Sequence, residues 1–185
     1  AYPEAAKKKD LEFDGYRKLP LHYAVENGAS EAVVLALLQA YPEAVKKKDI
    51  LRKLPLHWAV ENGASAAAVA ALLQACPEAV KEKDVQDKRL PLHFAVENGA
   101  SEAVVLALLQ AYPEAVTEKD GDKCGGMGRL PLHWAVFKGA SETVVAALLQ
   151  AYPEAIKEKD GHRSCRCTTS GVARRRRGRW RCCRP

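Results

Sequence analysis

One block of sequence occurs four times in this chain, from Leu19 to Asp49, Leu54 to Asp84, Leu90 to Asp120 and Leu130 to Asp160, with an offset of 30 between its ends each time. The block runs from Leu-Pro-Leu-His through Gly-Ala-Ser and Leu-Leu-Gln to Pro-Glu-Ala and Lys-Asp. Only the joints differ: from Asp10, Asp49, Asp84 and Asp120 to the next Leu the offset is 9, 5, 6 and 10. A constant unit with one variable joint is the pattern of a solenoid, because each unit must stack on the last while one loop stays free. Core formation is then local, between neighbours, so 185 residues need not mean one globular core.

Within a block the punctuation is helical. Pro20, Pro55, Pro91 and Pro131 suit a first helical position, where a missing N–H costs nothing. Gly28, Gly63, Gly99 and Gly139 close that short helix as left-handed C′ residues. Ser30, Ser65, Ser101 and Ser141 then cap a second helix, with Glu31, Glu102 and Glu142 at its positive end and Ala66 in the second copy. Val34, Leu37, Leu38 and Tyr41 fall at i, i+3, i+4 and i+7, and the stripe recurs in each block. Pro42, Pro77, Pro113 and Pro153 end it. A hairpin this short cannot bury both stripes alone, so each needs a neighbour.

This order of elements, carried by Leu19-Pro20-Leu21-His22-Tyr23-Ala24, Gly28-Ala29-Ser30, Val33-Val34 and Leu37-Leu38 and their counterparts, resembles the ankyrin repeat. The resemblance covers residues 1–160 and implies an all-α ankyrin-repeat solenoid of four helix-turn-helix units with variable finger loops. Residues 1–10 match the end of a further unit, and repeats begin at Leu19, Leu54, Leu90 and Leu130. The family's usual Thr before Pro is Leu here, which removes the hydroxyl that bonds the His. The Tyr-Pro-Glu-Ala-Val-Lys segment lengthens each unit, and one extra helical turn is expected from each of its prolines. By resemblance, the repeat-position His ties the loop backbone of neighbouring units. The chain would be a non-enzymatic protein-protein interaction scaffold, meeting another protein through its fingers and the concave face of its first helices. The uncovered face of the first copy suggests a fragment of a longer array.

The chemistry-bearing residues support that reading. His22, His57, His93 and His133 share one repeat position. Stacked helices would hold successive imidazoles about 10 Å apart, too far for one ion whose nitrogen ligands lie near ~2 Å. They are taken as structural positions, as are the four C′ glycines. No Ser or Cys nucleophile has a base at a recognisable spacing, and Gly125, Gly126 and Gly128 lack the Lys-Ser/Thr ending of a phosphate loop. Neither a metal nor a cofactor is expected.

Candidate partner contacts lie beside the His. Tyr23, Trp58, Phe94 and Trp134 follow it in the four copies. Two placements are open: rings packed between first helices, or a partly exposed ladder that anchors a partner. Glu26-Asn27, Glu61-Asn62 and Glu97-Asn98 read as undiversified duplicates or a solvated helix end. Phe137 and Lys138 stand there in copy four and are the candidate contact. In the fingers, Phe13, Tyr16 and Met127 are the apolar side chains expected on show, although loop drift gives similar variety. Cys124 is expected to be accessible, and Cys76 half-buried and inert.

Charge divides the chain at Asp160. Nine of the 29 basic residues lie in 161–185 with no acid beside them, which leaves 20 against 23 acids in residues 1–160, a net −3. This Arg/Cys-rich tail is expected to be disordered. Arg174, Arg175, Arg176, Arg177, Arg179 and Arg181, with Trp180 to stack, would suit nucleic acid, another polyanion or nuclear import. Alternatively the tail is an unselected extension. Unrepeated Cys, no apolar run of membrane length and no leader suggest an intracellular protein, cytoplasmic or nuclear, without a membrane partner.

Overall fold

Each first helix begins where proline fixes φ and the preceding leucine is extended: α1 (Pro20–Glu26), α3 (Pro55–Glu61), α5 (Pro91–Glu97) and α7 (Pro131–Lys138). The computed structural model describes Ala5, Lys7, residues 17–121 and residues 128–160. Leucine has no side-chain oxygen to cap the helix, and the N–H of the residue three places on bonds to the leucine's own carbonyl instead, at 2.9–3.0 Å. The backbone N–H of Leu19, Leu54, Leu90 and Leu130 donates to Nδ1 of His22, His57, His93 and His133 at 3.0, 3.1, 3.2 and 3.0 Å. This is the backward half of a capping box, built with His in place of Glu.

The helices stop in a Schellman turn. Gly28, Gly63, Gly99 and Gly139 take φ of 68°, 71°, 69° and 70°. This turn lets Ala29, Ala64, Ala100 and Ala140 donate back to Ala24, Ala59, Ala95 and Ala135 at 2.8–2.9 Å. Serine then opens α2 (Glu31–Ala40), α4 (Ala66–Ala75), α6 (Glu102–Ala111) and α8 (Glu142–Ala151). Only Ser65 and Ser141 accept a cap bond through Oγ. At Ser30 and Ser101 the expected side-chain bond is absent, because the N–H of Val33 and Val104 goes to the serine's own carbonyl, at 3.0 Å. The prolines after these helices start the extra turn, a 3₁₀ turn at Pro42–Lys46, Pro77–Lys81, Pro113–Thr117 and Pro153–Lys157.

The described residues thus form four helical hairpins. First helices pack side by side in one row, second helices in another, and each 3₁₀ turn rests on the hairpin that follows. Between the rows lie Leu21, Leu56 and Leu92 from the first helices and Val34, Val69 and Val105 from the second, none more than 1% exposed. Ladders also cross the joints: Lys48–Glu82, Lys83–Glu118 and Lys119–Glu158 pair at 2.7–2.8 Å. No described helix is long and apolar enough to cross a membrane.

The open space beside Gly63 allows its conformational role to be isolated. Gly63→Ala is expected to cost about 1–2 kcal/mol by left-handed strain alone. Gly63→Asn, which tolerates that region, should cost less. Urea unfolding of the two variants checks the order, and equal costs would point to packing instead.

Candidate functional site

The residue before each Leu-Pro-Leu-His is basic: Lys18, Lys53, Arg89 and Arg129. The residue before that is left-handed, with φ of 56°, 57°, 53° and 49° at Arg17, Arg52, Lys88 and Gly128. This kink turns each cation back over the first-helix row, among the rings that follow the histidines. Lys18 Nζ lies 5.3 Å from the Tyr23 ring centre and 3.8 Å from that of Trp58. Lys53 Nζ lies 4.8 Å from Trp58 and 4.6 Å from Phe94. The Arg89 guanidinium sits 5.9 Å from Phe94 and 4.3 Å from Trp134. Arg129 follows at 4.9 Å from Trp134 and 5.1 Å from Phe137. Aromatic faces are negative, so cations alternating with rings form a continuous attractive stack.

Burying an ammonium also calls for a counter-charge, since Lys18 and Lys53 are only 3% and 5% exposed. Glutamates eight residues on supply it: Lys18–Glu26 at 2.9 Å, Lys53–Glu61 at 2.6 Å and Arg89–Glu97 at 2.7 Å. The neighbouring Asn27, Asn62 and Asn98 donate through Nδ2 to the carbonyls of Tyr23, Trp58 and Phe94. The repeated Glu thus serves the joint, while Asn27, Asn62 and Asn98 remain exposed at the helix end. A basic residue eight places before each Glu, in three copies, was the sequence signal for it.

The indoles have a further tie. Trp58 Nε1 donates to Asp49 and Trp134 Nε1 to Asp120, each at 2.9 Å, while the other carboxylate oxygen of each Asp accepts finger N–H groups. Burial pushes the Asp49 carboxyl up, against the opposing pull of the bonds from Lys53 and Trp58. Of the two placements open to the rings, packing between first helices describes Phe94 and Trp134. Phe94 and Trp134 are 4% and 7% exposed, each with two cations and a further ring close by, and they offer a partner no free ring. Tyr23 and Trp58 are half-buried.

Copy four departs where the sequence departs. Phe137 occupies the slot of the glutamates and remains 66% exposed, yet its ring is held edge-on to Trp134 at 6.0 Å and 83° with Arg129 over it. Lys138 reaches Glu97 at 3.8 Å. The imidazoles, by contrast, are fully engaged on the scaffold. Nε2 of His57, His93 and His133 donates to the carbonyls of Glu82, Glu118 and Glu158 at 2.9–3.1 Å. These carbonyls lie in the same block as the His, not in a neighbour as the resemblance suggested. Cys76 is buried and free. Phe13, Tyr16, Met127, Cys124 and the tail residues Arg174, Arg175, Arg176, Arg177, Arg179, Trp180 and Arg181 lie outside the described residues.

A family profile for ankyrin repeats, in three copies, matches residues 56–160. The chain belongs to the ankyrin repeat family. Ankyrin repeats are protein-protein interaction modules, and a search of curated proteins found no match to this one. The match begins inside α3; in this ankyrin repeat chain the first hairpin, α1 and α2, has the same caps, turn and cation as those inside the match.

Two expected outcomes follow from these burials. Lys53→Ala removes a cation from between two rings and strands Glu61, so a loss of roughly 2–4 kcal/mol is expected in urea unfolding. Lys138→Ala, at the surface, should cost under about 0.5 kcal/mol. Burial also holds His57 down to about 3 and His93 to about 4. Their folded values are depressed, so the unfolded chain binds the extra protons. Stability is full above an unfolded value near ~6.5 and falls with pH below it, by at most ~1.4 kcal/mol per pH unit for each histidine. Unfolding midpoints between neutral pH and the folded values test this, and a flat or rising profile would contradict it.

Proposed function

We propose that this ankyrin repeat chain is a non-enzymatic scaffold that binds another protein along the open edge of its first-helix row, with Phe137 as the central anchor. Lys138 adjoins it, the half-buried rings of Trp58 and Tyr23 stand toward the other end of the same row, and in this proposal the fingers before each repeat, with Phe13, Tyr16 and Met127 as candidates, add further contacts. The observation that carries this reading is the state of Phe137: two-thirds exposed, but fixed against Trp134 and Arg129. An exposed aromatic usually loses rotamer freedom on binding, and one already held in place loses less. Hot spots are enriched in such rigid aromatic groups. Its repeat position carries Glu in the three other copies, so the anchor is a property of one repeat and not of the scaffold.

Affinity capture with the full chain and with its Phe137→Ala variant tests the proposal. Partners should be lost or weakened at least ~10-fold by Phe137→Ala, as expected for a truncated hot spot. They should be retained when Arg174, Arg175, Arg176 and Arg177 are changed to Gln. The reverse pattern, with binding that weakens steeply as salt rises, would place recognition in the Arg-rich tail and overturn the proposal.

A further inference from the structure

We propose that the fingers before the second and third repeats form a basic seat for an extended acidic segment of the partner protein. This rests on the scaffold reading but not on Phe137. Arg52 and Lys88 hold the same place in successive fingers, each directly before the cation that stacks among the rings. Both are exposed, and their side chains make no ion pair among the described residues. Lys53 and Arg89, one residue on, are each neutralised by a glutamate. The acids of these fingers are engaged: Asp49 and Asp84 accept finger N–H groups, and Asp87 lies 3.7 Å from Arg89. Two cations are thus left without a counter-charge. Arg17, also exposed, continues the row in the first repeat.

The backbone gives these side chains further weight. Arg52 and Lys88 have φ of 57° and 53°, in the left-handed region that residues with a β-carbon rarely adopt. Gly128 makes the same turn at 49° before the fourth repeat, so the fold accepts glycine there. A long cation kept where glycine sits without strain points to a use for the side chain.

The fingers hold the row in register. Val85 N–H donates to the Leu51 carbonyl at 3.1 Å and Gly121 N–H to that of Asp87 at 2.7 Å, so backbone bonds join each finger to the next. A row fixed in advance loses little freedom on binding. Ile50, on the same finger as Arg52, is 51% exposed and adds an apolar element. Spacing then selects the occupant. Packed helices lie about 10 Å apart, so the cations recur at roughly that pitch. An extended polyproline-type chain rises ~3.1 Å per residue and returns to one face every third residue, which brings carboxylates at i, i+3 and i+6 to one cation each. Nucleic acid suits the seat less well, since its phosphates would approach an array whose residues 1–160 carry net −3.

The peptide Glu-Pro-Leu-Glu-Pro-Leu-Glu, followed by fluorescence anisotropy at low salt, tests the seat in a full chain with Arg174, Arg175, Arg176 and Arg177 changed to Gln. It should bind at least ~5-fold more tightly than its isomer Glu-Glu-Glu-Pro-Leu-Pro-Leu, whose carboxylates cannot reach successive cations together. Arg52→Gln with Lys88→Gln should weaken it about 5- to 10-fold, the value of two exposed ion pairs, with an unchanged urea midpoint. Lys46→Gln with Lys157→Gln removes equal charge away from the fingers and should leave the affinity unchanged. So should Phe137→Ala, which keeps a failure of this seat distinct from a failure of the Phe137 contact. The proposal is overturned if neither peptide binds, if both bind alike, or if the charge-matched control or Phe137→Ala weakens binding equally. A lower urea midpoint for the Arg52 and Lys88 variant, or an oligo-dT that binds through these two residues more tightly than the peptide, would overturn it as well.

Discussion

A basic side chain held between aromatic rings and neutralised by a glutamate on its own first helix defines each joint of this molecule. Lysine or arginine at that place cannot be solvated as it would be in water, so the rings and the glutamate must be in position together. That requirement fixes the register of neighbouring first helices. It also accounts for the left-handed residue before each cation, since an extended backbone there would not return the side chain over the row. Strain of this kind persists where the surrounding contacts over-determine it.

The histidines solve a separate problem. The backbone N–H of each N-cap leucine needs an acceptor, and the fold uses an imidazole, buried and neutral at His57, that accepts it and donates to a carbonyl 25 residues on. Accepting at Nδ1 requires the proton on Nε2, so one tautomer satisfies both bonds. Desolvation then keeps the ring neutral well below its ordinary range. The same geometry leaves His22, His57 and His93 with no exposed surface.

Stacking leaves few positions free, and the proposed partner contact lies at one of them. In three repeats the end of the first helix is committed to the cation and to the carbonyls of the rings, through Glu and Asn. In the fourth, phenylalanine ends the stack on an aromatic face and leaves most of that ring in solvent. The repeat that departs from its siblings is thus also the one that presents a rigid apolar surface.

Helix starts, helix ends and the need to stack were legible from the sequence, because proline, glycine, serine and the 3.6-residue period act over a few residues. The family was legible for the same reason, since four near-identical blocks repeat those local signals. Phe137 stood out by comparing copies. What only the tertiary structure decided was where the recurring polar residues point. Lys53 and Glu61 lie eight residues apart, and the rings of Trp58 and Phe94 lie in successive repeats, so no local rule brings them together. The fate of the aromatic rings was decided there too: Phe94 and Trp134 each lie close to cations from two different repeats. Burial of that kind is a property of the joint between units, and no single unit encodes it.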